Sequence, residues 1–570
     1  MSDVTNSKVT NIAAFLPGMA ERQPYTLAIV YPDGRDPKGK VRYTHYTFRQ
    51  LNEESDIIAR GLAACGIGQG VRTALMVRPS LEFFALTFAI FKAGAVPVMI
   101  DPGIGLKSLK ACLAKAAPEA FIGIPAAHAA RSVLGWGKET VKTLVTAPPP
   151  GGKARRLFWG GLTLDDVKDA GRSAEGEKYP ALAPTQADDV AAVLFTSGST
   201  GPPKGAVYRH GHFVAQVDAI RDAYGIEPGE VDLPTFPLFA LFDPALGMTT
   251  IVPDMDPTKP AAVDPRKVFE AIDDFGVTNM FGSPALLNTV GRYGAEHGVK
   301  LPTLKRVISA GAPVPAVVME RFLTMLDDGA RIHTPYGATE SLPVASIHSG
   351  EVLSETSALT DEGRGVCVGR PVGEIDVRVI QIRDDVIDTW DDALELPAGE
   401  IGEIVVSGPV ATDQYIHEER LTALAKIYDR DESGDVVSHR HRMGDVGYFD
   451  NDGRLWFCGR KAHRVETANG TLYSVPCEAV FNVHPSVFRT ALVGVGAAGS
   501  KRPVLCVELE KGAGVDQNRV VAELRELGRK YDHTRSIEDF LFHSSFPVDI
   551  RHNAKIGREK LTVWATGKLS

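Results

Sequence analysis

Three observations predict an α/β protein. Strand-like and helix-like segments alternate from about Val71 to Ile347, a strand-rich stretch follows, and a basic segment of different character closes the chain after Gly459–Arg460. Val71–Val77 reads as a strand, Phe83–Phe91 as an apolar helix and Val96–Ile100 as the next strand. That rhythm predicts a mostly parallel sheet covered by helices.

The elements follow in order. Thr47 and Gln50 form a capping box that opens a helix. Leu51, Ile58 and Leu62 repeat along it, and Gly66 and Gly68 close it. Phe83–Phe91 is apolar for nine residues between Glu82 and Lys92. A bilayer span needs about 20, so this is a core helix and not a membrane anchor. The Pro- and Gly-rich run Ala147–Arg155 is a surface loop. A second α/β stretch runs from Asp189 to Ile347, and Val377–Ile382, Ile401–Val406 and Leu455–Phe457 read as strands between Gly- and Asp-rich turns.

Composition narrows the function. The chain has 570 residues, 44% hydrophobic and 23% charged, which excludes disordered or rod-like classes. Its net charge of −9 argues against a dedicated nucleic-acid binder. The segment 460–570 nevertheless carries 17 Lys and Arg against 12 Asp and Glu, as a small basic domain over an anionic ligand would. The N-terminus MSDVTNSKVT lacks the basic and apolar regions of a secretory signal. Six scattered cysteines without a C-x-x-C pair fit reduced thiols, and so a cytoplasmic protein with no zinc site.

The strongest motif is the run from Thr196 to Gly205, TSGSTGPPKG. The apolar strand Val190–Phe195 precedes it and Ala206–Tyr208 resumes the strand pattern. Hydroxyls from Thr196, Ser197, Ser199 and Thr200, backbone N–H groups freed by Gly198, Gly201 and Gly205, and the Lys204 ammonium are donors suited to phosphate. A Walker A loop is excluded, because Lys204 is followed by Gly205 instead of Ser or Thr. A flexible Ser/Gly linker is a poor alternative between two buried strands.

This loop resembles the signature of the adenylate-forming enzymes, which include acyl-CoA synthetases, luciferases and peptide-synthetase adenylation domains. Further motifs follow in the family's order. Ala310-Gly311-Ala312-Pro313 is similar to the adenine-side turn. Tyr336-Gly337-Ala338-Thr339-Glu340 resembles the next motif, which implies that Tyr336 stacks on adenine, Thr339 touches the α-phosphate, and Glu340 holds Mg²⁺ together with Thr196. Asp445 corresponds to the ribose-binding carboxylate and Arg460 to the nucleotide-contacting arginine after it. Asn553–Arg558 resembles the family's C-terminal motif, with Ala554 in place of its glycine, and assigns Lys555 as the catalytic lysine. The catalytic set implied is Lys555, Glu340, Thr196 and Lys204. The resemblance implies two domains: 1–459, with α/β subdomains and a small strand-rich subdomain around the ATP and acyl site, and 460–570, a small mobile α+β lid.

The hinge departs from the CoA ligases. Ala462 and His463 stand where those enzymes have an acid, Glu466 replaces a lysine, and one extra residue lies between Gly470 and Pro476. Thioester formation is therefore in doubt. This hinge and the block Thr235–Asp256 are similar to the β-lactone synthetases of bacterial long-chain olefin biosynthesis. The resemblance implies ATP-dependent activation of a 2-alkyl-3-hydroxy acid, followed by closure of its own β-hydroxyl onto the acyl carbon. Tethering of the nucleophile makes CoA unnecessary. Phe236, Phe239, Phe242, Met248, Phe281 and Ser283, with Pro284, are expected in the acyl pocket. Asp243, His333 and His348 are candidates for the base. A long-chain acyl-CoA or acyl-carrier ligase is the runner-up, and a non-catalytic nucleotide- or acyl-binding scaffold is a third reading. Assembly with other enzymes of olefin biosynthesis is a further implication.

Overall fold

The first β/α run builds a seven-stranded sheet in the order Leu162–Thr163, Thr143–Thr146, Ala120–Gly123, Arg72–Met76, Val96–Ile100, Val190–Thr196, Lys204–Arg209. A computed structural model provides the coordinates and describes residues 9–101, 104–155, 157–174, 179–196, 203–390, 394–510, 512, 514–548 and 555–569. All strand pairs in this sheet are parallel except the last, where Val190–Thr196 and Lys204–Arg209 run antiparallel on either side of the Ser/Gly loop.

Helix Phe48–Ala64 starts at the capping box, with Gln50 N donating to Thr47 Oγ1 at 3.2 Å and Thr47 N to Gln50 Oε1 at 2.9 Å. Leu51, Ile58 and Leu62 are buried, as their spacing requires. It packs on the apolar helix Leu81–Lys92, which is buried on every face. Lys92 ends that helix fully buried, donating to Asp56 at 2.6 Å, Asn52 at 2.8 Å and Ser55 at 2.9 Å. These partners satisfy an ammonium that would otherwise be very costly to bury.

The second sheet has 14 strands. Leu27–Arg35, Thr249–Ile251, Val231–Pro234, Asn279–Phe281, Arg306–Ile308 and Arg331–Ala338 form its parallel half. Arg331–Ala338 then turns at Thr339–Glu340 into antiparallel Ser341–His348, and the sheet continues antiparallel through Val366–Pro371, Leu455–Arg460, Val436–Phe449, Gly402–Ser407 and Asp376–Ile380. The strand-rich stretch is thus an extension of the second sheet and not a separate layer. Gly337 is needed at this reversal, because a Cβ there would lie 2.7 Å from both Ser341 O and Leu342 Cδ1.

From Val465 on, strands pair only with one another among the described residues: a short hairpin, Val465–Thr467 with Gly470–Leu472, and a three-stranded sheet, Val487–Val495, Arg502–Leu509 and Asp539–Phe542. Helices Ser474–Asn482 and Gln517–Gly528 pack around Phe481, Leu492 and Leu505, and helix Arg558–Leu569 packs in a second cluster around Val493, Val504 and Cys506. Among the described residues, no helix is long and apolar enough to cross a membrane.

Candidate active site

One cavity of about 2090 Å³ lies where both large sheets and the C-terminal segment meet, and most of the expected site residues line it. Lys204, Gly311, Ala312, Pro313, Tyr336, Gly337, Thr339, Glu340, Asp445, Arg460 and Lys555 are all on its wall, as are Phe236, Phe239, Phe242, Phe281, Ser283 and Pro284. Residues over 300 positions apart in sequence are thereby brought together. Ser197, Gly198, Ser199, Thr200 and Gly201 lie outside the described residues, as does the Thr196 side chain, although its backbone ends the strand Val190–Thr196.

Register fixes the first cluster. Asp445 and Arg460 sit opposite each other on adjacent antiparallel strands. Arg460 Nη1 donates to Asp445 Oδ1 at 2.8 Å, and Tyr336 Oη donates to Asp445 Oδ2 at 2.8 Å. Burial pushes the Asp445 carboxyl up, while Arg460 and the Tyr336 hydroxyl hold it down. Burial likewise drives the Tyr336 phenol well above its ordinary range, so it remains a donor. The result is an aromatic ring fixed at its hydroxyl end beside a carboxylate.

The second cluster surrounds Glu340, at the turn of the hairpin. Tyr415 Oη donates to Glu340 Oε1 at 2.5 Å, and the Lys204 ammonium lies 5.2 Å above the Tyr415 ring. Thr412 N donates to Glu340 O at 2.8 Å, and Ile416 N to Gly205 O at 2.9 Å. The segment Thr412–Ile416 therefore joins the end of the Ser/Gly loop to Glu340. Gly205 makes this approach possible, since a Cβ there would lie 2.6 Å from the Phe195 ring and 2.7 Å from Ile416. Lys426 is buried behind the cluster and donates to Thr412 O. Burial pulls it down to about 7, against the opposing pull of Glu340 and Asp413. His441 faces Lys426 in register and lines the cavity.

Tyr415, Lys426 and His441 had escaped the sequence reading. Tyr415 carried no motif of its own. Lys426 is a lone cation in the apolar run 421–428 and His441 lies in a polar stretch, and the burial of neither is evident until the sheet is assembled.

Several expected residues lie elsewhere. Met248 lines a separate cavity of about 60 Å³ behind Phe239, Phe242 and Phe281. Asp243 shares that small cavity with Asp232 and accepts from Thr250 Oγ1 at 2.8 Å, while Asn279 donates to Asp232 at 2.5 Å. Burial raises both carboxyls, and the Asp232 charge raises Asp243 further. His333 packs against Tyr224 and His348, at ring separations of 5.2 and 6.0 Å, and burial lowers it to about 4. His348 caps the turn at Glu351. None of the three candidate bases is among the residues that line the main cavity.

Charge pairs tie the segment after Gly459 to the large sheet and hold the segment together. Glu403 is 1% exposed and accepts from Arg442 at 2.7 Å and Lys461 at 2.9 Å. Arg464 pairs with Asp384 at 2.5 Å, and Arg558 with buried Glu478 at 2.7 Å. Lys555 precedes helix Arg558–Leu569 and is half-buried on the cavity wall. Asn553 and Ala554 lie outside the described residues.

The cavity has an aromatic face, a paired carboxylate and cations at the described end of the Ser/Gly loop, a donor set whose chemistry suits an adenylate. The model of the AMP-binding enzyme family matches residues 18–416, and the chain belongs to that family. It is 54% identical over 559 residues to the olefin beta-lactone synthetase of Xanthomonas campestris pv. campestris, covering 97% of both chains. It is 54% identical over 563 residues to the enzyme of that name from Stenotrophomonas maltophilia, covering 98% of both. Among solved structures, the amide bond synthetase McbA from Marinactinospora thermotolerans shares the fold, with a TM-score of 0.76 at 23% identity and coverage of 97% of this chain and 99% of that one.

Proposed function

We propose that the chain uses ATP to adenylate a long-chain 2-alkyl-3-hydroxy acid and closes the product to a β-lactone. The identity of 54% over nearly the whole length of two olefin beta-lactone synthetases carries this reading. It extends past the family match to cover Asp445, Arg460 and Lys555.

In the first step the substrate carboxylate oxygen attacks the α-phosphorus of ATP, and pyrophosphate leaves. Two anions must approach each other, so cations have to be in place beforehand. Lys204 and Lys555 supply them from opposite parts of the sequence in a partly water-excluded site. Tyr336 presents its face to the purine, Asp445 takes the ribose hydroxyls, and Arg460 pairs with Asp445 at 2.8 Å and opposes the effect of its burial. Thr339, the loop residues Thr196–Gly201 and the turn Gly311–Pro313 line the nucleotide.

Among the described residues no three His, Cys, Asp or Glu side chains gather as a metal cage. Mg²⁺ takes one or two carboxylates and completes its shell with phosphate and water. Glu340, oriented by Tyr415, and Thr196 would hold it, and the ion would supply charge neutralisation. In the second step the substrate's β-oxygen bonds to the acyl carbon, the acyl–phosphate bond breaks, AMP departs, and the hydroxyl proton is released. The reacting atoms already belong to one molecule, so closure needs orientation more than binding.

The same reading divides the chain into 1–459, with the nucleotide and acyl site, and 460–570, which delivers Lys555. It places the protein in the cytoplasm, in assembly with other enzymes of olefin biosynthesis. The test is incubation with ATP, Mg²⁺ and a 2-alkyl-3-hydroxy acid, with and without CoA, and product identification by NMR. A β-lactone formed without CoA is expected. A thioester that requires CoA, or no AMP release from any acid, overturns the proposal.

A further inference from the structure

The outer edge of the seven-stranded sheet carries an apolar tip away from the main cavity. Between strands Thr143–Thr146 and Leu162–Thr163 the Pro- and Gly-rich loop ends in a tight turn, closed by Gly160 N donating to Leu157 O at 3.1 Å. Phe158 and Leu157 stand on this turn 77% and 53% exposed, and neither lines the main cavity. Phe158 is the most exposed phenylalanine among the described residues.

The packing around the turn holds these two side chains outward. Trp159, next to Phe158, is rooted: its ring stacks on buried His128 with centroids 5.4 Å apart, and its Nε1 donates to Thr146 Oγ1 at 3.1 Å. His128 is itself bonded to Val145 O at 3.0 Å. Gly161 has a φ of +82°, and a Cβ there would lie 2.6 Å from Leu144 O. The chain is thus pressed against the strand on one side of Phe158 and anchored through Trp159 beside it.

Basic residues surround the tip. Lys153 and Arg155 are exposed just before the turn, and Arg156 adds a further charge in the sequence. Residues 125–161 hold six Lys and Arg against one Glu, in a chain whose net charge is −9. The acids nearby are Asp33, which approaches Gly151, Glu119, paired with Lys142 at 3.3 Å, and Asp165 and Asp166 at the start of the next helix, where Asp166 caps Thr163 at 2.6 Å. Charges beyond about 8 Å are largely screened at physiological salt, so the local basic excess decides what approaches this edge.

We propose that this turn docks on an anionic lipid surface, with Phe158 and Leu157 entering the hydrocarbon boundary and Lys153, Arg155 and Arg156 at the level of the headgroups. A layer of anionic headgroups over hydrocarbon meets the cations and the apolar tip at once. Each cation near such a surface strengthens binding about fivefold, and each apolar side chain taken out of water about tenfold or more. The attachment is therefore peripheral and reversible. It goes beyond the β-lactone reading, which supplies its use: an acid and a lactone with long alkyl chains partition into bilayers, and docking keeps the enzyme where they reside.

The experiment sediments the full chain with vesicles of phosphatidylcholine alone, or of equal parts phosphatidylcholine and phosphatidylglycerol, with neither ATP nor acid present. Binding to the mixed vesicles is expected, weakening as salt is raised, with little binding to phosphatidylcholine alone. Phe158→Ser should weaken it about tenfold or more and keep the wild-type melting temperature, since the side chain it removes is exposed. Lys153→Gln combined with Arg155→Gln should weaken it about 25-fold and flatten the salt dependence. No binding to the mixed vesicles, or equal binding by Phe158→Ser, overturns the proposal. Self-association of the wild type, measured by light scattering and abolished by Phe158→Ser, also overturns it, because a second copy of the chain would then cover the turn. Vesicle binding is read without turnover, so its failure is distinct from failure of the β-lactone reading.

Discussion

Removing the Tyr415 hydroxyl tests whether Glu340 must be held in one orientation. The hydroxyl donates to Glu340 Oε1 at 2.5 Å, and Tyr415 is only 4% exposed. A hydrogen bond to a charged group contributes about 1.5–3 kcal/mol, equivalent to about 10- to 150-fold in rate. Tyr415→Phe retains the ring beneath Lys204 and removes only this bond. Adenylation kcat/KM, followed by pyrophosphate release, should fall within that range. Tyr415→Leu also removes the aromatic face 5.2 Å from the Lys204 ammonium, a contact worth about 0.5–2 kcal/mol. It should therefore lose a further two- to thirtyfold. Wild-type kcat/KM in Tyr415→Phe, with or without a lower melting temperature, would refute the reasoning, because the tyrosine would then be no more than packing.

Two other outcomes follow from the site. Lys555→Ala should reduce adenylation by at least about 10²–10³ while ATP binding, measured by calorimetry, stays near wild type; normal adenylation would show the C-terminal motif to be misaligned. Lys426 is depressed to about 7 by burial, below its unfolded value near 10.4. Between those limits the unfolded chain binds more protons, so native stability rises with pH across the window. Lys426→Met lacks that term. Its stability relative to wild type, from urea midpoints, should be most favourable below pH 7 and decline toward pH 10, and a difference that is constant with pH would refute the buried charge.

The sequence revealed some parts of this molecule better than others. The capping box at Thr47 and the apolar helix at Phe83–Phe91 are local signals, and the structure places both as expected. The motifs whose described residues line the main cavity were legible because each is a compact run of distinctive residue types. The Phe236–Met248 block was legible only as an apolar run. Its fold into a short 3₁₀ turn and the four-residue helix Asp243–Leu246 sends Phe239 toward the main cavity and Met248 behind it. Asp243, His333 and His348 were near active-site motifs in sequence, but strand alternation and the buried Asp232 partnership turn them to other surroundings. Tyr415 bonds to Glu340, 75 residues away, and Lys426 reaches that turn through Thr412, which no local pattern encodes.

The Glu403 cluster ties the segment after Gly459 to the large sheet. Enzymes that hand an activated acid to an outside thiol gain from a lid with two resting positions, one for each partner. Here Lys461 is tied to a carboxylate rooted in the large sheet, and Arg464 is tied to Asp384 beside it. Any swing about this joint must first release both tethers. A catalyst whose second reactant arrives inside the first has no outside acceptor to admit between its two steps.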